Sequence, residues 1–185
     1  MAGKTSTNGF VLAGGKSRRM GRDKALLEWG NISLLEHMTQ LLSTVAHKVQ
    51  IIGRSDFPDK IAERGPLGGI LTALSITDRD ANLFVAVDLP LLTPGFLSFF
   101  QERVLGSPRD LVACRVENRF PLCLGIRPRL VDDVARRIDE GRLTIQGFIE
   151  EADAEILEQE ELETHGFTAT IFSNINTSDD LTKFR

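Results

Sequence analysis

Long apolar runs are missing from this 185-residue chain. No segment approaches the ~18 uncharged apolar residues of a membrane-spanning helix, and the N-terminus lacks the apolar stretch a signal peptide needs. Cysteine and histidine are scarce. Cys114, Cys123 and the three histidines show no zinc-ligand spacing. The two thiols read as reduced core residues of a cytoplasmic protein, and His37 and His47 as solvent-side residues rather than ligands. A net charge of −4, with the basic residues partly gathered in one loop, argues against a broad nucleic-acid surface. Internal repeats and low-complexity linkers are absent. What remains, 42% apolar and 26% charged residues, is the composition of an ordinary soluble domain. The simplest organisation is one domain over residues 1–185, with the small polar segment 1–7 frayed.

The most informative stretch runs from Val11 to Lys24. The apolar run Phe10 to Ala13, bounded by Asn8-Gly9 and Gly14-Gly15, reads as a buried strand. The two glycines then leave backbone N–H groups bare, because no Cβ blocks an approaching ligand. Lys16, Arg18, Arg19, Arg22 and Lys24 follow within a few residues. Bare amides beside clustered ammonium and guanidinium groups suit a polyphosphate. Two familiar phosphate loops do not fit. The Walker spacing fails because position 10 is Phe, and the dinucleotide fingerprint fails because Gly14 and Gly15 are adjacent and Gly21 is too distant.

A second apolar run, Leu83 to Val87, ends in one carboxylate, Asp88, and Pro90 forbids further ladder pairing. In open α/β sheets ligands bind beyond the carboxyl ends of strands, which places Asp88 on the same rim as the glycine turn. Opposite a triphosphate its use would be to hold Mg²⁺ (or Mn²⁺), which favours one or two carboxylates plus phosphate oxygens. Between these runs, Ser33 and Glu36 form a capping-box pattern ahead of a helix with Leu34, Met38, Leu41, Leu42 and Val45 on one face. Val49 to Ile52 is a further short strand ending at Gly53-Arg54. Gly65-Pro66-Leu67-Gly68-Gly69 reads as a stiff loop that opens a helix and could meet a base edge or an anion.

Later in the chain, Pro94–Val104 is helical, and Leu111–Val116 and Phe120–Ile126 are strands around a Glu117-Asn118 turn. Pro128–Glu140 is an amphipathic helix ended by Gly141, and 144–151 is a further helix. The acidic run Glu158–Glu163 reads as a solvated loop and helix face, and Phe167–Phe172 as a last strand. This alternation predicts a three-layer α/β fold with a mostly parallel, Rossmann-like sheet.

Leu-Ala-Gly-Gly-x-Ser-x-Arg-Met-Gly-x-Asp-Lys-Ala-Leu-Leu, from Leu12 to Leu27, resembles the signature of the molybdenum cofactor guanylyltransferases, a branch of the sugar-nucleotide-pyrophosphorylase-like nucleotidyltransferases. Asn174-Ile-Asn176-Thr-Ser-Asp-Asp-Leu181 resembles their Asn-x-Asn-Thr-Pro-Glu-Asp-Leu ending, with Ser178 in place of the proline. Gly65-Pro66-Leu67 is similar to a loop that faces the nucleotide base. Pro121-Leu122 is similar to a segment near the acceptor, and Arg119 beside it either meets an anionic substrate or is an exposed turn residue.

The resemblance implies a nucleotide site of Leu12, Ala13, Gly14, Gly15, Lys24, Gly65, Pro66, Leu67 and Asp88. An upstream aspartate joins it, Asp59, with Asp56 as the competing position. The family's asparagine at the end of the second strand has no counterpart, since Gly53 stands there. The resemblance implies Asp88 as the metal ligand, with Asn174 and Asn176 reaching the metal or phosphates. The donor would be GTP and the acceptor molybdopterin carrying molybdenum. Passing contact with proteins that build the cofactor or load it into molybdoenzymes would follow, with no nucleic-acid or membrane partner.

The chemistry stands beside the resemblance. A triphosphate cradle and one metal carboxylate suit displacement of pyrophosphate at the α-phosphorus. No His or Cys lies near either motif as nucleophile, which fits an acceptor that is itself a phosphate and needs little base assistance at neutral pH. Lys24 and Arg18 would hold the phosphates as charge builds on the leaving group. Three rival readings exist, of which a sugar-1-phosphate nucleotidyltransferase is disfavoured by the length of 185 residues. A cytidylyltransferase acting on the same pterin is disfavoured by Gly14, because those relatives tend toward Leu-Ala-Ala-Gly. A non-catalytic GTP- or cofactor-binding protein is disfavoured by the joint presence of Lys24 and Asp88.

Overall fold

The computed structural model describes residues 6–14, 23–54, 64–175 and 180. In chain order the strands are β1 (Asn8–Leu12), β2 (Glu28–Trp29), β3 (Ile32–Ser33), β4 (Lys48–Ile52), β5 (Asn82–Ala86), β6 (Leu111–Arg115), β7 (Cys123–Ile126) and β8 (Ala154–Glu158). The helices are α1 (Leu34–Ser43), α2 (Gly65–Leu74), α3 (Pro94–Gly106), α4 (Val131–Asp139), α5 (Ile145–Glu151) and α6 (Gln159–Thr164).

Six strands form one sheet in the order β4-β1-β5-β7-β6-β8, while β2 and β3 make a separate small hairpin. β1 pairs in parallel with both β4 and β5, and β8 in parallel with β6; β7 alone runs antiparallel to its neighbours. Alternate side chains of each strand enter opposite layers. Val11, Leu83, Val85, Val112 and Leu157 pack with Leu34, Met38, Phe96, Phe100 and Leu162 on one face. Phe10, Phe84, Leu111, Ala113 and Leu124 pack with Leu67, Ile70, Val134, Ile138 and Phe148 on the other. The result is the expected three-layer α/β architecture with a mostly parallel sheet. Among the described residues no helix is long and apolar enough to cross a membrane.

Local signals account for most element ends. Ser33 accepts from the Glu36 amide while Glu36 accepts from the Ser33 amide, which is the predicted capping box of α1. Thr93 and Thr144 cap α3 and α5 through their hydroxyls alone, which accept from the Phe96 and Gly147 amides. Glu117 and Asn118 both adopt positive φ, 50° and 58°, the geometry that a tight turn between β6 and β7 requires. Gly141, at φ 72°, closes α4.

Three expectations change. Phe167–Phe172 is not a strand: it contains a 3₁₀ turn, Ala169–Phe172. Its apolar residues were placed by a different demand, since Phe167 and Phe172 pack edge-on against Phe96 at 5.4 and 5.0 Å. The strand at that edge of the sheet is β8, Ala-Glu-Ile-Leu-Glu, which merges into the acidic run. Gly65-Pro66-Leu67-Gly68-Gly69 is not a loop ahead of a helix but the first turns of α2 itself, with Pro66 in its first turn. His37 is half-buried rather than solvent-side, and its Nε2 lies 2.9 Å from the Pro90 carbonyl oxygen; His47 is exposed. Cys114 and Cys123 are buried and unbridged on adjacent strands, and burial pushes both thiols up.

Candidate active site at the carboxyl ends of β1 and β5

Because Leu12 stands level with Ile52 on one side and Ala86 on the other, three parallel strands end together. The ladders continue one step further, with Ala13 N–H donating to Ile52 O at 3.0 Å and Val87 N–H donating to Leu12 O at 3.2 Å. The chain leaves β1 toward β4 and later returns on the other side through β5, so this is the switch point where α/β sheets open a crevice. Gly14 and Asp88 lie two residues beyond the ends of neighbouring strands.

Lys24 reaches that crevice from the 3₁₀ turn Lys24–Leu26, and its Nζ lies 3.8 Å from Asp88 Oδ2. The pair is close enough for strong attraction but longer than a tight hydrogen bond. Asp88 is largely buried, with its side chain 19% exposed. Burial raises its carboxyl above the ordinary value, and the Lys24 ammonium opposes part of that rise. The backbone of Asp88 is pinned as well, because Ile175 N–H donates to Asp88 O at 2.9 Å. That bond brings the exposed Asn174 to the same rim. His37 holds the loop just beyond Asp88 through Pro90, and the Trp29 ring packs against the His37 ring at a tilt of 38° with centroids 5.5 Å apart.

The glycine turn has a partner that sequence reading did not assign. Gly53, at the end of β4, has φ 88°, and a Cβ there would stand 2.5 Å from the Gly14 Cα. Only glycine lets the end of β4 pass under the backbone that follows β1. Arg54 then grips Asp23: Nη2 donates to Oδ1 at 2.6 Å and Nη1 to Oδ2. In the sequence Asp23 stands out only as one letter of the Leu12–Leu27 pattern, and Arg54 only as the end of a strand.

The structure thus brings together Leu12, Ala13, Gly14, Lys24, Asp88 and Asn174. α2 follows β4, so the N-terminal turn that holds Gly65, Pro66 and Leu67 opens on this rim, although Leu67 itself is fully buried. Gly15, Arg18, Asp56, Asp59 and Asn176 lie outside the described residues. On the far side of β5, the register Val85↔Cys123 sets Pro121 and Leu122 beside the strand's end, and Ala86 N–H donates to Leu122 O at 2.9 Å. Arg119 is exposed at the tip of that hairpin.

Among the described residues no group of three or more His, Cys, Asp or Glu could cage a metal ion. The donor set nevertheless fits a hard divalent cation of the Mg²⁺ type. Such an ion asks for one or two carboxylates and takes its remaining ligands from phosphate oxygens and water. Asp88 offers one such group, backed by apolar packing and loosely opposed by an ammonium.

A separate cavity of about 320 Å³ lies at the opposite rim, lined among others by Asp110, Leu130, Phe148 and Ala152. Its guanidinium groups are already answered within it: Arg109 by Asp153, Arg136 by Asp133, and both Arg137 and Arg142 by Glu151. It carries no convergence of groups like that around Asp88.

Residues 9–156 match the MobA-like NTP transferase domain. A "Molybdenum cofactor guanylyltransferase" of Haemophilus influenzae is 31% identical over 94% of this chain and 94% of its own. A Thermococcus kodakarensis protein named "Probable molybdenum cofactor guanylyltransferase" is 33% identical over 94% of this chain and 91% of its own. Among solved structures, the molybdopterin-guanine dinucleotide biosynthesis protein A of Archaeoglobus fulgidus superposes with a TM-score of 0.78 at 22% identity, over 96% of both chains.

Proposed function

Because this chain belongs to the MobA-like NTP transferase family, and so to the nucleotidyltransferases of molybdenum cofactor biosynthesis, we propose that it transfers GMP from GTP to the terminal phosphate of molybdenum-bearing molybdopterin. An oxygen of the acceptor phosphate forms the new bond to the α-phosphorus. The bond from that phosphorus to the β-phosphate bridge breaks, pyrophosphate leaves, and the product is the guanine dinucleotide form of the cofactor.

The observation that carries this reading is the meeting of Lys24 and Asp88 at 3.8 Å across the ends of β1 and β5. Lys24 is assigned to the phosphates, where a fixed ammonium meets the charge that develops on departing pyrophosphate. Asp88 would hold Mg²⁺, or Mn²⁺ in its place, which when bound supplies neutralisation of the nucleotide's phosphate charge. The bare amides beyond β1 and the opening turn of α2 are assigned to the nucleotide, and Asn174 to the same rim. Arg18 and Asn176 keep their sequence-based assignments. Positioning accounts for the rest of the rate, since a phosphate acceptor is already a competent nucleophile at neutral pH. The chain is assigned to the cytoplasm, where this chemistry finds its substrates.

The deciding measurement incubates the protein with Mg²⁺ and each nucleoside triphosphate, with and without molybdopterin, and follows pyrophosphate. Release with GTP that depends on molybdopterin is expected. Release with CTP alone would transfer the assignment to the cytidylyl reaction. GTP binding without pyrophosphate under any combination would replace the enzyme reading by a carrier.

A further inference from the structure

We propose that the Asp23–Arg54 ion pair is a positioning clamp that fixes Lys24 against the reacting phosphates, so that Arg54 contributes to turnover without touching substrate. This inference rests on the guanylyl-transfer reading for its catalytic consequence but not for its geometry.

The geometry forms a closed path across three strands. β4 ends at Gly53, whose positive φ turns the chain beneath Gly14 and delivers Arg54 to the rim. The Arg54 guanidinium meets both oxygens of Asp23. The same Asp23 Oδ1 accepts from the Ala25 amide at 3.2 Å, capping the short turn in which Lys24 is the first residue. Two backbone bonds complete that turn, Leu26 N–H to Asp23 O and Leu27 N–H to Lys24 O, both 3.0 Å. From there Lys24 extends to Asp88 at the end of β5. One carboxylate therefore both grips β4 and sets the backbone of the residue assigned to the phosphates.

A stabilising role alone accounts poorly for this arrangement. The two side chains are only 24% and 26% exposed, so the cost of desolvating both charges offsets much of their attraction, and such a pair is weak evidence of net stabilisation. A two-point guanidinium fork is instead suited to fixing orientation. Displacing a group at a reacting centre by an ångström can lower turnover by about 100-fold, so the value of the clamp lies in where it puts Lys24.

The test is a double-mutant cycle on pyrophosphate release. Arg54→Ala should lower kcat by about 10- to 100-fold, the scale of a misplaced catalytic group, with KM for GTP nearly unchanged. Added to Lys24→Ala, the same change should cost nothing further, because the clamp acts through the ammonium already removed. Arg54→Lys, which keeps the charge but loses the fork, should recover part of the loss. Equal losses in both backgrounds would overturn the proposal by showing that Arg54 acts independently of Lys24. A large rise in KM for GTP would overturn it by showing direct nucleotide contact. Amide hydrogen exchange over residues 24–27 reads the clamp without the chemistry: Arg54→Ala and Asp23→Ala should both accelerate it, and unchanged exchange would overturn the proposal. If the wild-type protein releases no pyrophosphate, the guanylyl-transfer reading falls while the exchange measurement still decides the clamp.

Discussion

Asp88 occupies a position where ionisation is unfavourable to the folded chain. Burial raises its carboxyl above the ordinary value, and Lys24 opposes that rise without cancelling it. A raised value means that the folded chain holds the proton more tightly than the unfolded one. The stabilisation this gives is fully present below the ordinary carboxylate value and is lost as pH climbs through the raised one. At neutral pH the charge is a local cost retained for chemistry, as active sites commonly show. Asp88→Asn should therefore leave the unfolding midpoint of the ligand-free protein at neutral pH unchanged or higher. It should also flatten the dependence of that midpoint on acid pH and abolish pyrophosphate release. A clearly lower midpoint would mean that the carboxylate is structural. Lys24 and Asp88 were both legible in the sequence because each closes a local pattern, a cationic turn and an apolar run. Arg54 was not, since its partner Asp23 is 31 residues away and an ion pair across loops has no period. Gly53 was visible only as a departure from the family's asparagine.

At the scale of elements, the end of β4 and the turn after β1 form one unit whose geometry depends on Gly53. A residue with a side chain at φ 88° would carry backbone strain, and its Cβ would also stand 2.5 Å from the Gly14 Cα and 2.6 Å from its nitrogen. Gly53→Ala should lower stability by more than the ~1 kcal/mol typical of a misplaced conformation alone. Urea unfolding should show the midpoint falling with the slope preserved. An unaltered midpoint would show that the two segments are not held against each other. Strands bounded by turn residues were readable here because they are short and mostly apolar: β1 and β5 as continuous runs, and β4 as Val-Gln-Ile-Ile closed by Gly53. β8 was not, because Ala-Glu-Ile-Leu-Glu is neither an unbroken apolar run nor a clean alternation: Glu155 and Glu158 fall on opposite faces and join an acidic stretch. Phe167–Phe172 misled for the opposite reason, since its aromatic residues fill a layer against Phe96 rather than a sheet. The boundary of α2 was hidden by composition, as a Gly-Pro-Leu-Gly-Gly opening reads as loop until burial of Leu67, Gly68 and Gly69 is known.

Over the whole molecule, the sheet divides the labour between its two rims. The carboxyl ends of β1 and β5 carry Gly14, Lys24 and Asp88, and the antiparallel entry of β7 sets Pro121 and Leu122 beside them. The amino ends of β6 and β8 carry the cavity whose arginines and acids pair with one another. A cavity of that size invites a ligand, but its charges already balance, whereas Asp88 and Lys24 meet where three parallel strands end together. Saturating GTP with Mg²⁺, at 100 times its dissociation constant, should stabilise the fold by about 2.7 kcal/mol through mass action. Hydrogen exchange should locate that gain. Slowing is expected in peptides covering residues 12–14, 24–27 and 86–90, where the rim amides lie. Peptides covering 108–110 and 133–142 should exchange as before, because their side chains are occupied with one another and lie across the sheet. Protection centred on the second set would place the nucleotide at the opposite rim and end the assignment of Lys24 and Asp88, whatever the pyrophosphate assay showed.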